Sequence, residues 1–116
     1  MDPLRKTITC TTLARLADAF DQLRMLDREM PGQVVSAFLY VSSHDGCHKH
    51  AMELALELKS ASGSRVTDWL SDYHRLGKPG LGLITKKVDP TCRRRQILQL
   101  TSKGKELAQV FRDAVA

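Results

Sequence analysis

Apolar residues recur every three or four positions along most of the chain, which is the spacing of amphipathic helices. The first helix is predicted over residues 11–30, where Thr11 or Thr12 is the expected N-cap and Pro31-Gly32 ends the pattern. The second helix, over 33–43, is apolar on nearly every side, so it is predicted to lie at the centre of the core.

Two shorter helices are predicted in the middle of the chain, on either side of a polar turn. One runs from about 50 to 59 and is broken by the small residues 60–63, and the next begins near Ser62. In this fourth helix, apolar side chains fall at offsets of 0, 3, 4 and 7, namely Val66, Trp69, Leu70 and Tyr73. Residues 50–77 therefore have the pattern of a helix-turn-helix, whose second helix enters the major groove of DNA.

A β-hairpin and a last helix are predicted after a glycine-rich bend at 77–82. The two strands are expected at 83–88 and 95–100, joined by the turn Asp89-Pro90-Thr91. Thr101 is the expected N-cap of a helix over 102–116, which has one apolar face. A two-stranded hairpin that follows a helix pair is the shape of a wing.

These elements predict a single domain over residues 1–116 that is mainly α with a small β-wing. The fold class is a winged helix-turn-helix, with a helical core at 33–77, a wing at 82–100 and helices at both ends. The end helices, 11–30 and 102–116, carry more apolar surface than so small a core needs, so we expect them to form a homodimer. The predicted dimer contacts are Leu13, Leu16, Phe20, Leu23, Leu107, Val110 and Phe111.

Positive charge is concentrated late in the chain. The formal net charge is +5, and residues 78–105 contain eight Lys or Arg but a single acid, Asp89. The first thirty residues balance five bases against five acids. A segment this basic is what a polyanion-binding surface requires. Aromatic residues make up only 5% of the chain, which argues against single-strand binding by base stacking, so double-stranded DNA is the predicted partner.

Composition and motifs argue against several other classes of protein. No apolar run reaches membrane-spanning length, and the N-terminus lacks the apolar stretch that secretion needs, so no membrane partner is expected. Three widely spaced cysteines argue against a disulfide framework and for a reducing, cytoplasmic location. The sequence contains no nucleophile with a base and an orienting group, no phosphate loop and no paired carboxylates in an apolar setting. Neither an enzyme nor a cofactor is therefore predicted.

The wing segment resembles that of the MarR (multiple antibiotic resistance regulator) family. The order and spacing agree at Gly82-Leu83-Ile84, Asp89-Pro90, Arg93-Arg94, Leu98-Gln99-Leu100-Thr101 and Gly104. The resemblance continues upstream to about Gln33 and covers about 75 of the 116 residues. It implies a homodimeric transcription regulator, with repression as the expected mode. It also implies that the fourth helix enters the major groove and that Arg93 or Arg94 lies in or near the minor groove.

Several features depart from the family pattern. Cys92 stands where the family has an Asp that orients the wing arginine by a salt bridge. The turn between Leu58 and Val66 is one residue longer than usual, and extra residues lie between Tyr73 and Leu83. The chain is shorter than most members and has one helix after the wing. In this it is similar to the SarA-like (staphylococcal accessory regulator) branch or to a compact phage or plasmid relative.

The predicted DNA contacts lie on the fourth helix and on the wing. Arg65 suits a bidentate contact with guanine, and the neighbouring polar residues suit base edges or phosphates. A narrow minor groove attracts an inserted arginine, whereas Lys86, Lys87 and Arg95 are expected on phosphates. The full set is Ser62, Ser64, Arg65, Thr67, Asp68, Lys86, Lys87, Arg93, Arg94 and Arg95.

Other candidate groups are weighed against simpler roles. Cys92, beside two arginines, and Cys10 are either redox-sensitive thiols or incidental reduced cysteines. Trp69 and Tyr73 are expected in the core or in an interface. Many relatives bind small phenolic acids, but nothing in this sequence identifies an effector. No metal site is predicted, although four potential zinc ligands lie within seven residues around a turn, namely His44, Cys47, His48 and His50.

The same fold leaves a second function open. A winged helix also serves as a protein-protein interaction module, here one that binds a polymerase or another regulator, with the basic wing against an acidic partner. A pull-down in the presence of competing duplex DNA separates this function from DNA binding.

Overall fold

The computed structural model describes residues 7–72 and 79–116. Within these ranges the chain forms five helices and one antiparallel three-stranded sheet, so the predicted fold class, mainly α with a small β-wing, is confirmed. None of the helices described is long and apolar enough to cross a membrane. The elements in chain order are α1 (Thr11–Arg24), α2 (Gly32–Ser43), β1 (Cys47–His48), α3 (Lys49–Ala55), α4 (Ser60–Leu70), β2 (Ile84–Asp89), β3 (Cys92–Leu100) and α5 (Ser102–Val115).

Helix α2 lies at the centre of the core, as its apolar pattern predicts. Phe38 and Val41 have no exposed surface, and Phe38 faces Phe111 of α5 with ring centroids 6.1 Å apart. Phe111 also meets Phe20 of α1 edge-to-face at 5.2 Å. Because burial of aromatic rings dominates the energetics of a small core, these contacts hold the two end helices against α2.

The sheet has the strand order β1-β3-β2, and β1 is a short strand that the hydrophobic pattern does not predict. The hairpin register runs from Ile84 opposite Leu100 to Val88 opposite Gln96. Asp89 then pairs with Cys92, so residues 93–95 bulge out of the ladder with no partner on β2. An irregularity of this kind bends the strand and re-aims its side chains, which here are those of three consecutive arginines.

The first predicted helix is too long and its predicted cap is wrong. Helix α1 begins at Thr11, with Cys10 at the N-cap position and no side-chain cap, so neither Thr11 nor Thr12 caps it. The helix ends at Arg24 rather than near residue 30. In the segment that follows, the Asp27 carboxylate accepts a hydrogen bond from the Glu29 backbone N–H at 3.0 Å. Such local bonds by Asp compete with helix continuation.

The middle helices also differ in their ends. Helix α3 stops at Ala55, and Glu57 has φ of 55°, a left-handed conformation that no helix continues through. Residues 60–63, predicted as a break, instead form the first turn of α4, which ends at Leu70. Tyr73 and the remainder of the predicted helix-turn-helix up to 77 lie outside the described residues. The Thr101 cap is confirmed, because its Oγ1 accepts from the Gly104 N–H at 3.0 Å.

Candidate nucleic-acid interface

The segment that leads into the wing is hydrogen-bonded to the end of α4. The backbone N–H groups of Leu81, Gly82 and Leu83 donate to the carbonyls of Trp69, Ser71 and Leu70 at 2.9, 2.9 and 2.8 Å. These carbonyls lie at a helix C-terminus, where they have no intrahelical donor. The wing is therefore held in a fixed position beside α4.

The start of α5 holds the same segment from its other side. The Thr101 hydroxyl, which caps α5, donates to the Gly82 carbonyl at 2.7 Å, and the Thr101 N–H donates to the Leu83 carbonyl at 3.0 Å. Lys103 Nζ donates to the Leu81 carbonyl at 2.9 Å. One short stretch of backbone thus connects α4, the wing and α5.

One face of α4 presents polar groups to solvent. Arg65 is exposed, and its Nη2 donates to Ser62 Oγ at 3.1 Å, while Ser62 and Ser64 are partly buried. These three residues, predicted from the sequence as DNA contacts, lie on the first two turns of the helix. A helix that lies in the major groove uses its N-terminal residues to contact bases.

Thr67, also predicted to contact DNA, lies on the opposite face and has no exposed surface. Its hydroxyl donates within the helix to the carbonyls of Gly63 and Ser64, at 2.8 and 3.1 Å. The prediction of a DNA contact at this residue is wrong. The buried face of α4 is formed by Gly63, Val66, Thr67 and Leu70. Because Gly63 is small and Thr67 is polar, the hydrophobic pattern does not identify either of them as buried.

Asp68 of α4 and Lys86 of β2 form an ion pair across the junction between the helix and the wing. Their side chains are 16% and 21% exposed, so the pair is largely shielded from water. The sequence predicts both residues as separate DNA contacts, and the structure brings them together. The charge of Lys86 is therefore largely neutralised by Asp68 within the protein. Lys87, in contrast, is exposed to solvent.

The arginine bulge of residues 93–95 is exposed and borders an open cleft between the wing and α3. Among the described residues, no carboxylate lies within ion-pair distance of these three guanidinium groups. The cleft has a volume of about 360 Å³ and carries one acidic side chain. It is lined by Lys49, His50, Glu53, Ser60, Arg94, Arg95 and Gln96.

The acidic residue of this cleft, Glu53, is buried and neutralised. Lys49 Nζ donates to Glu53 Oε2 at 2.6 Å, and the two side chains are 13% and 8% exposed. The carboxylate lies directly against Gly63 of α4, where a Cβ atom would overlap it. Gly63 thus allows α3 and α4 to approach closely, and the cleft as a whole stays electropositive.

The turn of the wing is held by Asp89. His48 Nε2 donates to Asp89 Oδ2 at 2.8 Å, and the Thr91 N–H and hydroxyl donate to Oδ1 at 2.9 and 2.7 Å. These bonds, that of His48 most strongly, lower the pKa of the Asp89 carboxyl group to about 2. At position 92, where the resembled family has an Asp, the partly buried Cys92 stands, and the Asp89 carboxylate bonds to His48 and Thr91 rather than to a wing arginine.

Replacing Asp89 with Asn is expected to remove a pH-dependent part of the stability. Because the pKa is lower in the folded chain, the stabilisation is present above about pH 4 and is lost as the pH falls toward 2. The free energy of unfolding of wild type minus that of Asp89→Asn, measured by denaturant titration, should therefore shrink between these pH values. His48→Ala should raise the pKa of Asp89, as followed by carboxyl ¹³C shifts. If this difference in unfolding free energy did not change with pH, the hydrogen bonds of Asp89 would contribute nothing to stability.

The histidines and cysteines near the turn at 45–46 have separate contacts. His44 stacks on Tyr40 with ring centroids 4.3 Å apart, and His48 bonds to Asp89. Burial raises the pKa of the Cys47 thiol. Over residues 7–72 and 79–116, no group of three or more His, Cys, Asp or Glu side chains is arranged to hold a metal. Cys10 is exposed.

The residues predicted as dimer contacts divide into two groups. Leu13 is 62% exposed, and Leu16, Phe20 and Val110 are partly buried at the edge of the core. The other three are buried in the chain's own core, so their apolar surface is already covered without a partner. These are Leu23, Leu107 and Phe111. The homodimer itself stays a prediction.

The described architecture is that of a winged helix-turn-helix protein. Its fold is the one seen in solved regulators of the MarR type. The similarity to the S. aureus MepR–DNA complex has a TM-score of 0.66 at 21% identity, covering 88% of this chain and 77% of that one. For MarR the TM-score is 0.61 at 19% identity, covering 90% and 75%. For the PcaV transcriptional regulator from Streptomyces coelicolor it is 0.59 at 22% identity, covering 89% and 71%.

These likenesses establish the fold. A scan with protein-family models gives no match, and a comparison with curated proteins gives none either.

Sequence reasoning missed several residues of this interface. Lys49 and Ser60 line the cleft, and His48 holds the wing turn. The four-residue spacing of Lys49 and Glu53 is a local signal that could have been found. The contact of His48 with Asp89 joins positions 41 residues apart and has no local signal.

Proposed function

We propose that this protein is a MarR-family transcription regulator that binds double-stranded DNA sequence-specifically as a homodimer. The observation that carries the proposal is the exposed arginine bulge beside the exposed face of α4, both fixed to one backbone segment. Two recognition elements held at a constant separation suit adjacent grooves of a duplex. The likeness to MepR, whose structure is a DNA complex, supports the same function.

In the proposed complex, α4 lies in the major groove and Arg65 reads a base edge, with Ser62 and Ser64 beside it. Arg93 or Arg94 enters or approaches the minor groove, where a narrow groove concentrates negative potential. Lys87 and Arg95 bind phosphates, and so set the register without reading sequence. Lys86 acts mainly through its pair with Asp68, which holds the wing to α4.

We propose that the homodimer forms through the end helices α1 and α5. Leu13 is the exposed apolar residue of α1 among the predicted contacts, and Val110 is the partly buried one of α5. Repression is the proposed mode, in the cytoplasm, with no enzymatic step.

Selection of bound fragments from a random duplex pool, followed by footprinting, tests this function. The expected result is one palindromic site with two half-sites about one helical turn apart, or a multiple of it. The affinity should fall steeply with salt, because a dimer with about six to ten phosphate contacts loses roughly 10³ to 10⁵ between about 50 and 200 mM. A purified dimer without duplex affinity at low salt would contradict the proposal and favour the protein-binding module.

A further inference from the structure

The indole of Trp69 joins the predicted reading helix to the segment between α1 and α2. Its Nε1 donates to Asp27 Oδ2 at 2.8 Å, between positions 42 residues apart. Trp69 is the only tryptophan of the chain and is partly buried on α4. A charge-assisted bond in a partly buried place is stronger than one between neutral groups in water.

The same Asp27 carboxylate also shapes its own segment. Oδ1 accepts from the Glu29 N–H at 3.0 Å, while Oδ2 holds Trp69. Two bonds in different directions fix the carboxylate in place, so it is a rigid anchor for the indole. The anchor lies three residues after the end of α1, whose Leu23 is fully buried in the core.

Arg65 stands one helical turn before Trp69, and both side chains border one small cavity of about 110 Å³. The other walls of this cavity come from the start of α2 and from Val66. Movement of the Trp69 end of α4 would therefore move the backbone that carries Arg65. Since base readout depends on distances of a few tenths of an ångström, such a movement would affect recognition.

We propose that Asp27 is a positioning residue for base recognition, which acts through Trp69 to set where Arg65 stands and touches no DNA itself. The DNA part of this inference rests on the proposed function. The matched control is Glu29→Ala, which removes the same charge from the same segment, at an exposed position two residues further on, but not the acceptor of the indole.

The experiment compares Asp27→Ala, Trp69→Phe and Glu29→Ala with wild type. In the free protein, Asp27→Ala should shift the indole N–H resonance and the fluorescence emission of Trp69, and Glu29→Ala should not. In binding assays, Asp27→Ala and Trp69→Phe should each reduce the ratio of specific to non-specific affinity about tenfold, the scale of one charge-assisted hydrogen bond. The double variant should lose little more than either single one.

The slope of affinity against salt should stay that of wild type, because no phosphate contact is removed. A role in stability alone would lower the unfolding midpoint and leave the specificity ratio of the folded protein unchanged, and this result would overturn the proposal. The proposal would also be overturned if Asp27→Ala left the indole N–H resonance and the fluorescence emission of Trp69 unchanged. If wild type binds no duplex, the proposed function fails, and the role of Asp27 in recognition fails with it.

Discussion

Gly104→Ala is expected to destabilise the protein by about 2 kcal/mol, although alanine is the better helix former. A Cβ atom at residue 104 would overlap the Leu83 carbonyl oxygen and would lie 3.0 Å from its carbon. That carbonyl cannot turn away easily, since it accepts from Thr101, and the N–H of Leu83 is bonded to Leu70. Overpacking of about 3 kcal/mol exceeds the helix-propensity gain of about 1 kcal/mol.

Urea unfolding followed by circular dichroism measures this effect. Gly32→Ala is the matched control, because Gly32 is the first residue of α2 and a Cβ there meets nothing within 4 Å. The control should be neutral or stabilising by up to about 1 kcal/mol. Equal stability of Gly104→Ala and wild type would show that α5 and the wing entry are not in tight contact.

The combined reversal Arg93→Glu and Arg94→Glu is expected to weaken duplex binding at least about 100-fold, at specific and random sites alike. Both arginines are exposed on the bulge, so the change removes attraction to phosphates and adds repulsion. In a dimer four positive charges are lost, and the salt slope should fall by roughly 3 to 4 if each neutralises a phosphate. Fluorescence anisotropy with a labelled duplex at several salt concentrations gives both quantities.

Lys105→Glu with Arg112→Glu is the control for this pair. Both residues are exposed on α5, and their reversal changes the net charge by the same amount. Both variants are compared at concentrations where they keep the wild-type oligomeric state. A similar loss of affinity in the two variants would mean that total charge, rather than the wing, governs binding.

Local patterns were enough to predict the order of the five helices, the hairpin and the Thr101 cap, but not the short strand β1. They failed where a side chain interrupts a pattern, as Asp27 does after α1, or where a polar residue is buried. Thr67 is such a polar residue. Because its hydroxyl donates to a carbonyl of its own helix, its side chain can be buried against the core. Leu23 and Phe111 were expected in a dimer interface, and the chain itself covers them, because α1 and α5 pack on each other.

The contacts that build the candidate site are mostly distant in sequence. Asp27 and Trp69 are 42 residues apart, His48 and Asp89 are 41 apart, and Asp68 and Lys86 are 18 apart. Helical or strand periodicity carries no information on such pairs, since it reports only which face of an element is apolar. Only folding determines which of these charged groups remain available to a partner.

Two lysine ion pairs within the described residues bear on how the protein would approach a duplex in the proposed function. Lys49 and Lys86 are each matched by an adjacent carboxylate, so little of their field extends into the solvent. Among the described residues of the wing, the positive charges that remain unmatched are then those of the arginine bulge and Lys87. An approaching polyanion would be guided toward the tip of the wing first, and orientation would precede sequence reading.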